Sequence, residues 1–204
     1  MSSTRIVRWG ALASMLGGAL LITSAFDGVL SGSTPLSQLS DEIVLLLFLA
    51  GLLLAAVGLV GLHTRQVARS GLLGRVGLVL AFISIVAAFV AMVTSIIFPG
   101  DNNQNYIPLL VALLSMLLTL VPFSIVTLRA KVLPGWSAAL PLVMFVVWSL
   151  ALFVNPATDY PTYDPVKGGI RLTCLALFGV GWLVLGYALW KDSVQVSGSS
   201  KTAD

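Results

Sequence analysis

Charged residues are scarce in this 204-residue sequence: only 9% are Asp, Glu, Lys or Arg. A soluble domain carries about 25% charged residues. Here 58% of the chain is hydrophobic and the mean hydropathy is +1.02, so the chain cannot cover itself with a water-compatible surface. The composition predicts an integral membrane protein in contact with membrane lipids. It argues against a nucleic-acid partner despite the net charge of +3.

Residues that carry chemistry are equally scarce. The sequence has one cysteine, Cys174, and one histidine, His63, which excludes a disulfide framework, a cysteine pair for a metal, or haem held by two histidines. No phosphate-binding, dinucleotide-binding or HExxH motif is present. We interpret His63 as an interfacial residue beside Arg65 rather than a haem or quinone ligand. The sequence therefore predicts no catalytic residue, no metal site and a non-enzymatic protein.

Asp, Glu, Lys, Arg and His are absent from six long windows. Each has the length of a transmembrane helix, and continuous apolarity excludes the alternation of a membrane β-barrel. The predicted fold is all-α: a polytopic bundle of six transmembrane helices in one domain, 1–192, followed by a disordered tail, 193–204. The six predicted spans are 9–26, 43–62, 76–98, 107–128, 137–154 and 172–190.

The segment between the second and third windows, 62–75, sets the predicted orientation. It contains Arg65, Arg69 and Arg75 and no acid, and basic connectors mark the cytoplasmic side. With this segment inside, nine of the eleven basic residues fall on the cytoplasmic side and six of the eight acids on the other. Both termini are then cytoplasmic. The first window, preceded by two arginines, is typical of a signal peptide as well, but we predict a retained helix.

Two connectors resemble a known group of proteins. The sequences LHTRQVARSGLLGRVG (62–77) and LRAKVLPGW (128–136) resemble the inner loops of small six-span bacterial membrane proteins, most of them uncharacterised. The likeness covers these two stretches only. It implies a six-helix fold and the bacterial cytoplasmic (inner) membrane, and it transfers no functional residue.

Small residues recur at helical spacing in the first two windows. Such faces let membrane helices approach closely, and the same faces can serve membrane partners or a homo-oligomer. The candidate helix-packing residues are Gly10, Ser14, Gly18, Gly51, Ala55 and Gly58.

Acids and tyrosines gather in the predicted outer loops. Carboxylates and aromatic faces together can bind a cation, a cationic amine or calcium, although solvated loops that obey the topology rule have the same composition. The candidate outer rim consists of Asp101, Tyr106, Asp159, Tyr160, Tyr163 and Asp164.

Two functions remain open. The first is a structural or accessory subunit that packs with other membrane helices. The second is a small transporter or binder of an apolar, neutral or cationic ligand such as a lipid, quinone, pigment or amine. No cofactor is required by either. Because transporters usually place Asp, Glu, Lys, Arg or His at membrane depth and the six windows hold none of these, the sequence favours the first.

Overall fold

Helices account for nearly all of the residues that the structure describes. A computed structural model describes residues 3–30, 41–97, 102–130, 139–154 and 165–199, and no strand occurs in these ranges. The elements are α1 (Ser3–Leu30), α2 (Asp41–Ile97), α3 (Asn102–Ala130), α4 (Leu140–Val154) and α5 (Pro165–Ser199). Uncharged runs of this length form helices because a helix satisfies its own backbone hydrogen bonds without water.

Helix α2 is two helices joined by a sharp turn. Gly71 has φ 52° and ψ −146°, a conformation that only glycine adopts readily. Phe123 lies against both sides of this turn: its ring centroid is 6.2 Å from that of His63, and its ring packs over Gly77. In a straight helix, positions 63 and 77 would be about 21 Å apart. Residues 41–70 (arm 1) and 72–97 (arm 2) therefore fold back on each other.

The predicted connector 62–75 is thus helical on both sides of one glycine, rather than an extended loop. Leu62, His63 and Gln66 are all buried, and their contacts with neighbouring helices explain why arm 1 continues past the last uncharged residue. Composition alone could not indicate this burial.

Five stretches are long and apolar enough to cross a membrane, and this confirms the all-α membrane class. They are Arg5–Phe26, Ile43–Gln66, Gly71–Thr94, Ile107–Arg129 and Thr173–Val194. The sixth apolar stretch, Leu140–Leu150, is shorter, and the 15 residues of α4 extend about 22 Å.

Consecutive helices run in alternating directions. Gly10 of α1 meets Gly61 of arm 1, whereas Gly17 meets Ala55, so these two helices are antiparallel. The same reasoning applies to α1 and α5, to arm 2 and α3, and to α4 and α5. The start of α1 and the end of α5 consequently lie at the same end of the bundle.

The end of α5 overlaps the predicted disordered tail. The helix continues through Ser199, and Ser193 is buried, donating a 2.7 Å hydrogen bond to the carbonyl of Trp190. The Ser- and Gly-rich composition of this segment did not indicate its packing. Residues 200–204 lie outside the described ranges.

Candidate functional site

Every charged side chain that the structure describes lies at one end of the bundle, which we call the basic end. It carries six cations and one carboxylate: Arg5, Arg8, Arg65, Arg75, Arg129, Lys191 and Asp192. The turn at Gly71, the start of α1 and the ends of α3 and α5 meet here. Polar chemistry in the described part of the chain is therefore concentrated at this end.

An ion pair ties arm 1 to α5 at the basic end. Arg65 donates from Nε to Asp192 Oδ2 at 2.7 Å. The two side chains are 33% and 22% exposed, so solvent screens their attraction only in part. The predicted topology has both residues on the same side of the membrane, but it did not predict that they form an ion pair.

A short chain of hydrogen bonds links arm 1 to α3 beside this pair. Gln66 Nε2 donates to Thr127 Oγ1 at 2.5 Å, and Thr127 Oγ1 donates to the Phe123 carbonyl at 2.6 Å. Because the threonine hydroxyl has one proton, it must accept from the glutamine. This fixes the amide orientation and turns Gln66 Oε1 away from Thr127.

Two polar atoms of this cluster have no protein partner among the described residues: Gln66 Oε1 and His63 Nδ1. Gln66 is 1% exposed and His63 is 8% exposed. Buried polar atoms of this kind are usually satisfied by ordered water. The cluster can hold water or a small polar group, and the Asp192 carboxylate beside it is paired with Arg65.

A groove opens between the start of α1 and the end of α5. It has a volume of about 380 Å³ and is lined by Arg5, Arg8, Trp9, Leu12 and Trp190. Arginine and tryptophan at a membrane–water interface are typical of sites that meet lipid headgroups.

The six predicted helix-packing residues lie inside the bundle. Gly10, Ser14, Gly51, Ala55 and Gly58 line the contact between α1 and arm 1. Gly18, on another face of α1, packs on α5, where an added Cβ would lie 2.5 Å from the carbonyl oxygen of Gly179. These small faces are occupied by helices of the same chain. They are consequently not free for a partner protein.

The side chains of the predicted outer rim are not among those that the structure describes. Asp101, Asp159, Tyr160, Tyr163 and Asp164 lie outside the described residues, and so does the side chain of Tyr106. Within the described ranges, no group of three or more His, Cys, Asp or Glu residues is placed to hold a metal ion. Cys174 is a half-buried free thiol packed against the core.

An aromatic column crosses the core between arm 1, α4 and α5. The rings of Trp148 and Phe178 lie 4.7 Å apart, and Phe48 and Trp182 extend the column on either side. The indole N–H groups of Trp148 and Trp182 have no partner in the described part of the chain. In the sequence, only the spacing of Phe178 and Trp182, four residues apart on one helix, indicated that these aromatic rings could lie together.

In comparisons with known proteins, no protein-family model, no curated protein and no solved structure matches the chain.

Proposed function

We propose that this protein is a non-enzymatic integral membrane protein, a structural or accessory subunit that packs against other membrane helices. One observation carries the proposal. The interior of the described bundle is filled by glycine contacts and aromatic rings, and none of the charged side chains that the structure describes lies in it. Such an interior supports a scaffold rather than a pathway for ions or a reaction.

The topology belongs to the same proposal. Helix α4 belongs to the sixth span, and the basic end faces the cytoplasm because lysine and arginine are retained on that side. Both termini are then cytoplasmic. The resemblance of the two connectors supports placement in a bacterial inner membrane.

The surface for a partner is the outer face of arm 2 and α3. The small-residue faces of α1 are covered within the chain, whereas this face exposes large apolar side chains. It includes an open apolar groove of about 430 Å³, lined by Val79, Phe82, Ile83, Val86, Ala87 and Val111. A groove of this shape accepts the ridge of a neighbouring helix.

The proposal is tested by mass spectrometry of the assembly released in mild detergent from its native membrane. We expect the wild-type chain to travel with other membrane subunits or with copies of itself. The variant V79W/V86W, which fills the groove, should lose these partners. The matched variant V143W/V146W, with equally exposed valines on α4, should keep them. A wild-type protein released as a lone monomer would contradict the proposal.

A second function is favoured by the aromatic column. Two buried indole donors without a partner suit an apolar ligand with hydrogen-bond acceptors, such as a quinone or a pigment, because unsatisfied donors are costly in a membrane interior. The same mass measurement distinguishes the two functions. A retained small molecule without partner proteins would favour a ligand binder or transporter over an accessory subunit.

A further inference from the structure

We infer that the groove between the start of α1 and the end of α5 is a binding site for an anionic phospholipid. Its phosphate would lie between the Arg5 and Arg8 guanidinium groups, and an acyl chain would follow Leu12. The site does not depend on the accessory-subunit proposal.

The spacing on α1 assembles this site on one stripe of the helix. Positions 5, 8, 9 and 12 follow the i, i+3, i+4, i+7 pattern of a single helix face. The neighbouring faces of α1 are taken by arm 1 and α5, and no other described helix covers this stripe. Trp190 closes the groove from α5.

The groove is cationic at one end and apolar at the other, as a phospholipid is charged at its headgroup and apolar along its acyl chains. Arg5 lies at the basic end of the bundle, and Leu12 lies about 10 Å further along the axis of α1, towards the middle of the helix. Trp9, at an intermediate depth, is 66% exposed, and indole rings prefer this interfacial level. Cations above an apolar floor match a phosphate joined to an acyl chain.

Charge complementarity selects an anionic lipid over a zwitterionic one. The described side chains of the basic end include six cations, and the Asp192 carboxylate is paired with Arg65 on the other side of α5. No described carboxylate lines the groove. Bidentate guanidinium groups bind phosphate oxygens well.

The full chain is reconstituted with phosphatidylglycerol or phosphatidylcholine, and the lipid retained on the protein is measured by native mass spectrometry. We expect retention of phosphatidylglycerol to exceed that of phosphatidylcholine. The variant R5Q/R8Q should lose this preference, by about fivefold for each arginine removed.

The matched control is R75Q/R129Q, which removes two exposed arginines from the same end but outside the groove. It should retain the wild-type preference within about twofold, because salt screens charges beyond the contact distance. The single variant R5Q, at an exposed position, provides the test if the double variant melts at a lower temperature.

Three results would overturn the inference. One is equal retention of both lipids by the wild-type protein. Another is an equal loss in R5Q/R8Q and R75Q/R129Q, which would indicate attraction by net charge alone. The third is displacement of phosphatidylglycerol by excess inorganic phosphate, which would identify a soluble anion as the ligand.

Discussion

Two parts of the bundle pack their helices in different ways. Between α1, arm 1 and α5, backbone meets backbone: a Cβ added to Gly10 would lie 2.6 Å from Gly61 Cα, and one added to Gly17 would lie 2.7 Å from the backbone nitrogen of Ala55. Real Cβ atoms are not found at such distances. The separation of these helices is therefore set by the absence of side chains.

Between arm 2 and α3, a side chain fills the space instead. The ring of Phe123 lies over Gly77, where an added Cβ would be 3.1 Å from its nearest ring carbons. A ring can move by a few tenths of an ångström, whereas a helix backbone moves only with its whole helix. Two glycines of similar burial can therefore differ in whether they tolerate an added methyl group. The difference depends on whether the methyl group would meet a helix backbone or a side chain.

The largest expected effect comes from the pair G18A and G77A. At Gly18 the new methyl group would meet the Gly179 carbonyl oxygen at 2.5 Å and the Leu183 nitrogen at 2.8 Å, so α1 and α5 must separate. We expect a loss of about 1–3 kcal/mol for G18A. Both substitutions gain from the better helix propensity of alanine, about 1 kcal/mol. At Gly77 the new methyl group meets side-chain atoms of Phe123, which can move, so G77A should lose less stability than G18A.

Unfolding in detergent by SDS titration measures both values. Equal losses in G18A and G77A would show that the two parts of the bundle do not differ in the way described. Gly18 is buried and Gly77 is buried, so the comparison is not confounded by exposure to lipid.

The second-largest loss of stability is expected from a substitution at the turn between arm 1 and arm 2. Gly71 has φ 52°, and nothing lies within 4 Å of the position of its Cβ. The cost of G71A is therefore the local backbone strain of a positive φ, about 1–3 kcal/mol, with no contribution from contacts with other helices. The same titration measures it, and L72A, at a neighbouring side chain that is 77% exposed, serves as the control. Wild-type stability in G71A would mean that the turn is made at another residue.

The membrane class and the small-residue faces could be predicted from the sequence because both depend on local spacing. Charge-free windows indicated helices, and the spacing of Gly10, Ser14 and Gly18 indicated a flat face. Sequence spacing cannot indicate which neighbouring helix packs against each of these faces. That Gly18 faces α5 while Gly10 faces arm 1 follows from the rotation of α1 between two neighbours, which only the packed bundle determines.

The residues of the basic end show the same contrast: the sequence predicts the side of the membrane on which a charge lies, but not the residue with which it pairs. The charge rule placed Arg65 and Asp192 on one side of the membrane, but their 2.7 Å pair depends on how far arm 1 continues beyond the apolar window. Gly71 could not be singled out either. It lies in a segment with other glycines, Gly74 and Gly77, and the spacing does not distinguish which of them takes the positive φ.

The smallest effect is expected from the pair S14A and S84A, which tests whether polar contacts contribute to the difference. Each serine is fully buried and donates to a carbonyl of another helix: Ser14 to Trp182 at 2.8 Å, and Ser84 to Ala112 at 3.1 Å. Alanine removes one interhelical hydrogen bond in each part without adding volume, so both variants should lose about 0.6 kcal/mol in the SDS titration. T23V is the control, because the Thr23 hydroxyl donates within its own helix, to Ala19, and its loss should be near zero. If S14A instead cost as much as G18A, the tight contact of α1 would depend on hydrogen bonding rather than on the close approach of backbones.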